Sequence, residues 1–401
     1  MQRLAKEVNK MPDEMTPRER FKKIMNFQKP DRLLWMEDQV DVTTLRWISE
    51  GLPIDQVIHT DYDVCLNGAL PVVMPTPYMF DASGYFGFLN VASPSRTTIT
   101  LDLGPLPRHT LRVIRETKER VLCTTPLGGK MEYSKNDYAM PNFVGHPVSN
   151  MRDWKDFSKR FDPADPRRYP KDYTSEEYIG LFEESKIPTS MILSGFYGFG
   201  RGLMGTAGFT PAFYTNPELV HDMMDAYADF LIEVLREIVQ TLRSRIDWVF
   251  WWEDLAHGVG PNISPKVFKE FILPNLKKVT GFLNKNGIDL IIMDSDGDFR
   301  VLMPLLWEGG IRGTWPLEVG AGMNAVELRK QYGRTWRLLG NIDKTLLLRG
   351  KDAIRREIDQ KVPFLKEDGG YIPGLDHTIP PNASLESFTF YANCIKELLN
   401  Y

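Results

Sequence analysis

From residue 188 onward the chain alternates short apolar runs with amphipathic segments of ten or more residues, and this rhythm limits the fold more than anything else. The runs 189–194, 247–252, 289–293, 311–315, 336–339 and 370–373 are largely apolar rather than two-faced. Strands of that kind are buried on both sides, which suits a parallel sheet covered by helices. The segments between them read as helices. After Asn216 and Pro217, residues Leu219, Val220, Met223, Met224, Tyr227, Leu231, Val234 and Leu235 share one face at helical spacing. Ser264-Pro265 opens another helix, and Gly287 is placed to close it. Upstream, Thr16, Pro17 and Glu19 form a capping box that opens a first helix.

Adding strands centred on Leu33 and Val121 brings the count to eight, the number a (β/α)8 TIM barrel needs. The expected architecture is therefore α/β: one barrel domain over 1–401, with an N-terminal helical segment and an inserted hairpin-rich region at about 85–165. No GxGxxG or GxxxxGK[ST] follows a strand, so a dinucleotide or P-loop fold has no local support.

Composition removes several function classes. The 49 basic and 53 acidic residues leave a formal charge of -4, without the basic surplus of a nucleic-acid binder. The three cysteines, Cys65, Cys123 and Cys394, lie far apart and form no disulfide framework, which fits a reducing cytoplasm. No apolar run of 18 residues and no signal-peptide pattern appears, so a membrane is not expected as a partner.

Barrel enzymes work at the C-terminal ends of their strands. The residues just past each run are Glu37, then Ser194, Phe196 and Tyr197, then Glu253 and Asp254, then Asp294 and Asp296. Glu318, Asn341, Asp343, Asp376 and His377 complete the set. Any one of them can be only a helix cap. Asp294, Asp296 and His377 can hold a divalent metal, with Glu253 as a fourth ligand. The competing reading is a hydrogen-bonded polar network, with Asp294-Ser295-Asp296-Gly297 as an ordinary turn. Phe196-Tyr197-Gly198-Phe199-Gly200-Arg201 interleaves glycines with aromatics, which suggests tight backbone lining a pocket, with Arg201 as an anion contact. His257 is a candidate supporting partner behind Glu253-Asp254, while His59, His109, His146 and His221 read as solvated or local hydrogen-bonding residues.

Several motifs then share one origin. Met15-Thr16-Pro17-Arg18-Glu19-Arg20-Phe21 with Lys29-Pro30-Asp31-Arg32 resembles the opening of the uroporphyrinogen decarboxylase superfamily. Ile263-Ser264-Pro265 with Ile272-Leu273-Pro274, Gly340-Asn341-Ile342-Asp343, and Asp376-His377-Thr378-Ile379-Pro380-Pro381 resemble its later motifs. The resemblance covers the first forty residues and about 190–395, and implies a (β/α)8 barrel. True decarboxylases of this superfamily carry a G-R-Y-x-P segment after the first strand that binds substrate carboxylates. Here the segment is Met36-Glu37-Asp38-Gln39-Val40, which would repel a polycarboxylate. The other branch of the superfamily moves methyl groups to or from a corrinoid protein, and its coenzyme M enzymes hold zinc with H-x-C-G and a later cysteine. Laid on this chain, those ligands fall on Asp294, Asp296 and His377, so positions match while oxygen replaces sulfur.

The resemblance thus implies a corrinoid-dependent methyltransferase of the O-demethylase type. It would use Zn2+ to polarise the leaving oxygen of a small methoxylated substrate and cobalamin carried by a partner corrinoid protein as acceptor. In that reading Asp294, Asp296, His377 and Glu253 are metal ligands, and Glu253, His377 and Asp294 do the catalytic work. Tyr197 and Arg201 position the substrate, Trp252 and Trp315 are aromatic walls, and Glu37 lines the site. The oligomeric state is open, a homodimer plausible. The alternative is a decarboxylase or lyase acting on a small carboxylated substrate.

Overall fold

The computed structural model describes residues 15–59, 80–90, 98–135, 141–258 and 260–401. Of the seventeen strands in the described residues, thirteen matter here: β1 (Met36–Glu37), β2 (Leu89–Asn90), β3 (Thr98–Ile99), β4 (Val113–Glu116), β5 (Arg120–Thr124), β6 (Lys130–Ser134), β7 (Asn142–Gly145), β8 (Ser190–Ser194), β9 (Trp248–Trp252), β10 (Ile291–Asp294), β11 (Gly313–Trp315), β12 (Arg337–Leu339) and β13 (Tyr371–Ile372). Seven of them form one parallel sheet in the order β13-β12-β11-β10-β9-β8-β3. β1 and β2 form a separate parallel pair. One backbone hydrogen bond, Met36 N–H to the Pro373 carbonyl at 3.1 Å, ties that pair to the end of β13.

Helices follow the strands as the apolar periodicity requires. The longest, Pro217–Leu242, buries the face predicted for it, from Leu219 to Leu235 and on to Leu242. Helices Leu273–Lys285, Ala325–Tyr332, Lys351–Glu367 and Leu385–Leu398 stand where the sequence places them. The first helix, Pro17–Met25, carries its capping box: Thr16 Oγ1 accepts the Glu19 N–H, and Glu19 accepts the Thr16 N–H at 2.7 Å. Among the described residues, no helix is long and apolar enough to cross a membrane.

Two expectations are corrected. Val121 is not in the parallel sheet. It lies in an antiparallel four-stranded sheet, β4-β5-β6-β7, which has its own small core of Val121, Cys123 and Met131. The parallel strand preceding β8 is instead Thr98–Ile99. Alternation of buried and half-buried side chains along β5 shows why: one face meets the small core and the other meets solvent. The second correction concerns the glycine-rich segment 196–204. It is a helix, Phe196–Met204, followed by a second helix, Thr206–Thr215. Its glycines allow close packing rather than a pocket loop: a Cβ on Gly200 would sit 2.1 Å from the Phe209 ring and one on Gly198 2.9 Å from the Trp252 ring.

Candidate active site at the strand ends

The inward row at the C-terminal edge of the sheet follows from register. Trp252 on β9 pairs with Asp294 on β10, which pairs with Trp315 on β11. Side chains in register on parallel strands point to the same face, so one carboxyl stands between two indoles. Phe250, two residues before Trp252, packs 6.0 Å from the Trp315 ring centroid one layer below. Trp315 also stacks on the His377 imidazole, with centroids 5.9 Å apart and planes at 28°.

His377 Nε2 lies 3.3 Å from Asp296 Oδ1, and its Nδ1 accepts the Thr378 N–H at 2.7 Å. In the neutral ring the second contact leaves Nε2 as the protonated nitrogen, facing the carboxylate, and the charged ring carries a proton on both nitrogens. Burial lowers the imidazole pKa, but the hydrogen bond and charge of Asp296 outweigh it and leave His377 above its ordinary value. Burial likewise raises Asp296, yet His377 holds that carboxyl below its usual range. Asp294 is different. Burial, then the charges of Asp296, Asp254, Asp38 and Glu318, push it well above the ordinary carboxylate value.

Several expected site residues are committed elsewhere. Glu253 caps the Phe196–Met204 helix: Oε1 accepts the Phe196 N–H at 2.7 Å and Oε2 accepts the Gly198 N–H at 3.0 Å. Tyr197 is buried against Phe209 and hydrogen-bonds Thr210 Oγ1 at 2.9 Å, on the helix-packing side. Arg201 forms an ion pair with Asp254 and lies over the Trp252 ring. Glu37 is buried and accepts from Trp35 Nε1, the Tyr391 hydroxyl and the Leu375 N–H. Its carboxyl is pushed up to about 8 by burial, against those donors.

The remaining strand-end residues hold loops. Asn341, at φ +71°, accepts the Ala325 N–H and donates to the Leu317 and Met323 carbonyls. Asp376 accepts from the Val319 and Lys344 N–H groups, and Asp343 caps the turn at Thr345. Ser295 accepts the Leu255 N–H.

Two site residues were not singled out by the sequence. Asp38 is buried, and its Oδ2 accepts from Thr378 Oγ1 while Oδ1 meets no donor. Lys344 pairs with Glu318 at 3.2 Å. The signal for Asp38 was its place beside Glu37 after the first strand; only the fold shows that Glu37 turns to Tyr391 while Asp38 meets Thr378. His257 is exposed. His109 is not solvated: its Nε2 is buried without a partner and its ring stacks on Phe157. Cys123 and Cys394 are buried free thiols, and Cys65 lies outside the described residues.

The implied zinc site can be tested on the donors. Among the described residues, no three His, Cys, Asp or Glu side chains gather as a metal-holding group. Glu253 has both oxygens on helix amides, and Asp296 and His377 face each other. As arranged, the donors do not fit a zinc ion.

A uroporphyrinogen decarboxylase (URO-D) family model matches residues 124–398, more than half of the chain. The protein therefore belongs to the URO-D family. It is similar to the uroporphyrinogen decarboxylases of Pseudomonas entomophila (strain L48), 23% identical over 192 residues, and Pseudomonas fluorescens (strain Pf0-1), 26% identical over 195 residues. Each match covers 46% of this chain and 50% of the relative, so the chain spans about half the length of the curated relatives it matches. Over nearly its whole length it shares a fold with a methyltransferase from Methanosarcina mazei. The TM-score is 0.57 at 15% identity, covering 96% of this chain and 99% of that one.

Proposed function

We propose that the protein is a methyltransferase that moves a methyl group from a methoxylated aromatic substrate to a reduced corrinoid carried by a partner protein. The charge at the strand ends carries this reading. Five carboxyls, Asp38, Asp254, Asp294, Asp296 and Glu318, act on one another there, and the guanidinium of Arg201 is already taken by Asp254. A polycarboxylate, the substrate type of a porphyrinogen decarboxylase, meets repulsion at such a site. Methyl transfer needs no anion-binding surface, and the fold is one that also occurs in a methyltransferase. The reading takes the β1–β2 pair, tied to the end of β13, as the part that closes the seven-stranded sheet into a barrel, with the site at its C-terminal mouth.

In the reaction the bond between methyl carbon and ether oxygen breaks, and the methyl carbon bonds to the corrinoid's cobalt(I), which supplies the electron pair. The oxygen keeps the electrons of the broken bond and takes a proton. His377 supplies it: the imidazole is a third exposed at the strand end, and Asp296 orients it. Trp252 and Trp315 flank the ring. No step is routed through zinc.

The test is incubation with reduced corrinoid protein and a panel of methoxylated aromatics, followed by the cobalamin absorption spectrum. The expected result is substrate-dependent loss of the cobalt(I) bands with release of the matching phenol. Release of carbon dioxide from a carboxylated substrate, with the cobalt(I) bands unchanged, would instead assign the site to the decarboxylase alternative.

A further inference from the structure

Three basic side chains at the strand ends each pair with one carboxyl. Arg201 pairs with Asp254, Lys344 with Glu318 at 3.2 Å, and His377 with Asp296 at 3.3 Å. Of the five carboxyls that act on one another there, Asp294 and Asp38 have no such pair. Asp294 is 9% exposed; its backbone carbonyl accepts the Glu253 N–H, but among the described residues its side chain accepts no hydrogen bond and forms no ion pair. Asp38 is 8% exposed, and its Oδ1 is buried without a donor. Two buried carboxyls thus lie at the strand ends without a cation beside them, and a cation seated there would supply the partner they lack.

The surroundings indicate what kind of cation would satisfy it. Strand register holds Asp294 between Trp252 and Trp315. A small metal ion needs oxygen or nitrogen donors converging within about 2–2.6 Å, and these carboxyls do not gather that way. A larger, weakly hydrated organic cation needs no such convergence. It is attracted to indole faces and to a carboxylate at van der Waals distance, the arrangement by which aromatic cages take quaternary ammonium groups. Trp252 is already used this way by Arg201, whose guanidinium lies 5.7 Å from its ring centroid.

We propose that this site binds a substrate carrying a positively charged nitrogen, seated against Asp294 between the indoles of Trp252 and Trp315, with Asp38 as the second counter-charge. The proposal rests on the reading of this strand end as the substrate site and narrows the methyl donor to cationic methoxyaromatics. It also gives the acidic Glu37-Asp38 segment a positive role beyond rejection of anions.

The test uses the full chain and three probes: (3-methoxyphenyl)trimethylammonium, its neutral tert-butyl isostere and 3-methoxybenzoate. Binding is followed by tryptophan fluorescence and calorimetry. The cation is expected to bind roughly tenfold or more tighter than the isostere, with the benzoate weakest. Asp294→Asn and Asp38→Asn should each erase most of that preference while leaving the isostere's affinity unchanged. Because the preference is read first in the unaltered protein, a variant that fails to fold does not obscure the result. Equal affinity for cation and isostere would overturn the proposal. Binding of the cation without methyl transfer to reduced corrinoid would leave this inference standing and remove the methyltransferase reading. Turnover of the benzoate alone would do the reverse.

Discussion

At the scale of single residues, the contact between His377 and Asp296 decides how the site handles protons. Asp296 lifts the imidazole pKa above its ordinary value against the pull of burial. Replacing Asp296 with Asn removes the lift and lowers that pKa. If protonated His377 donates to the departing oxygen, activity is lost as pH rises through the His377 pKa. Asp296→Asn should therefore shift the alkaline limb of the kcat profile to lower pH, while the affinity for a substrate analogue changes little. His377→Ala should cost about 10²-fold in kcat or more and abolish that limb. A profile that stays fixed in Asp296→Asn would show that the pair only shapes the loop. Asn341 sits at the same strand ends but answers a different need. Its amide joins Ala325, Leu317 and Met323 at a left-handed backbone position, so its place in the sequence pattern reflects architecture.

At the scale of elements, Glu253 and the Phe196–Met204 helix depend on each other. The helix has no side-chain cap of its own, since Gly195 stands at the N-cap position, and Glu253 reaches across from the end of β9 to fill that role. The carboxyl is pushed up to about 7 by burial. A group that binds its proton more tightly when folded contributes stability below its unfolded pKa and loses that contribution as pH rises through the folded one. Stability measured by chemical denaturation should fall between about pH 5 and 8, and Glu253→Gln should flatten that fall by on the order of 1–3 kcal/mol. Glu253→Ala, which strands the helix amides, should cost about 3 kcal/mol at acid pH and less as pH rises, because the pH-dependent contribution is lost with the carboxyl. The same helix shows where sequence reading stops. Strands and long helices after residue 188 were legible, because a period of 3.6 or a continuous apolar run is a local signal. The 196–204 helix was not, because its cap lies 57 residues away in Glu253 and its glycines answer to Phe209 and Trp252. Val121 was misplaced because a half-buried antiparallel strand and a parallel one are alike over five residues. The chain pattern placed these carboxyls just past their strands but could not tell which way each turns; Glu37 bonds Tyr391 and Glu253 caps a helix.

At the scale of the whole molecule, two packing units of very different size share the chain. The main core runs continuously from Phe21 to Leu399 through the parallel sheet and its helices. The β4–β7 sheet rests on three buried side chains, with Tyr133 and Phe143 packed beside them, and all four residues of β4 are exposed. Cooperative stability follows buried apolar area, so a unit with so little of it opens at lower cost than the core to which it is attached. Amide hydrogen exchange followed by mass spectrometry should therefore show β4, β5 and β6 exchanging through a local opening, while β8, β9 and β10 exchange only with global unfolding. Low urea should speed the main-sheet amides, whose exposure requires large surface, and leave the β4–β6 amides almost unchanged. The strand-end site stands on the slow-exchanging part, since Trp252, Asp294 and Trp315 belong to β9, β10 and β11. A ligand bound there should then raise protection in the main sheet by its binding free energy and leave the antiparallel sheet where it was. Equal protection of the two sheets in the free protein, or a rise in both on binding, would mean that they unfold as one unit.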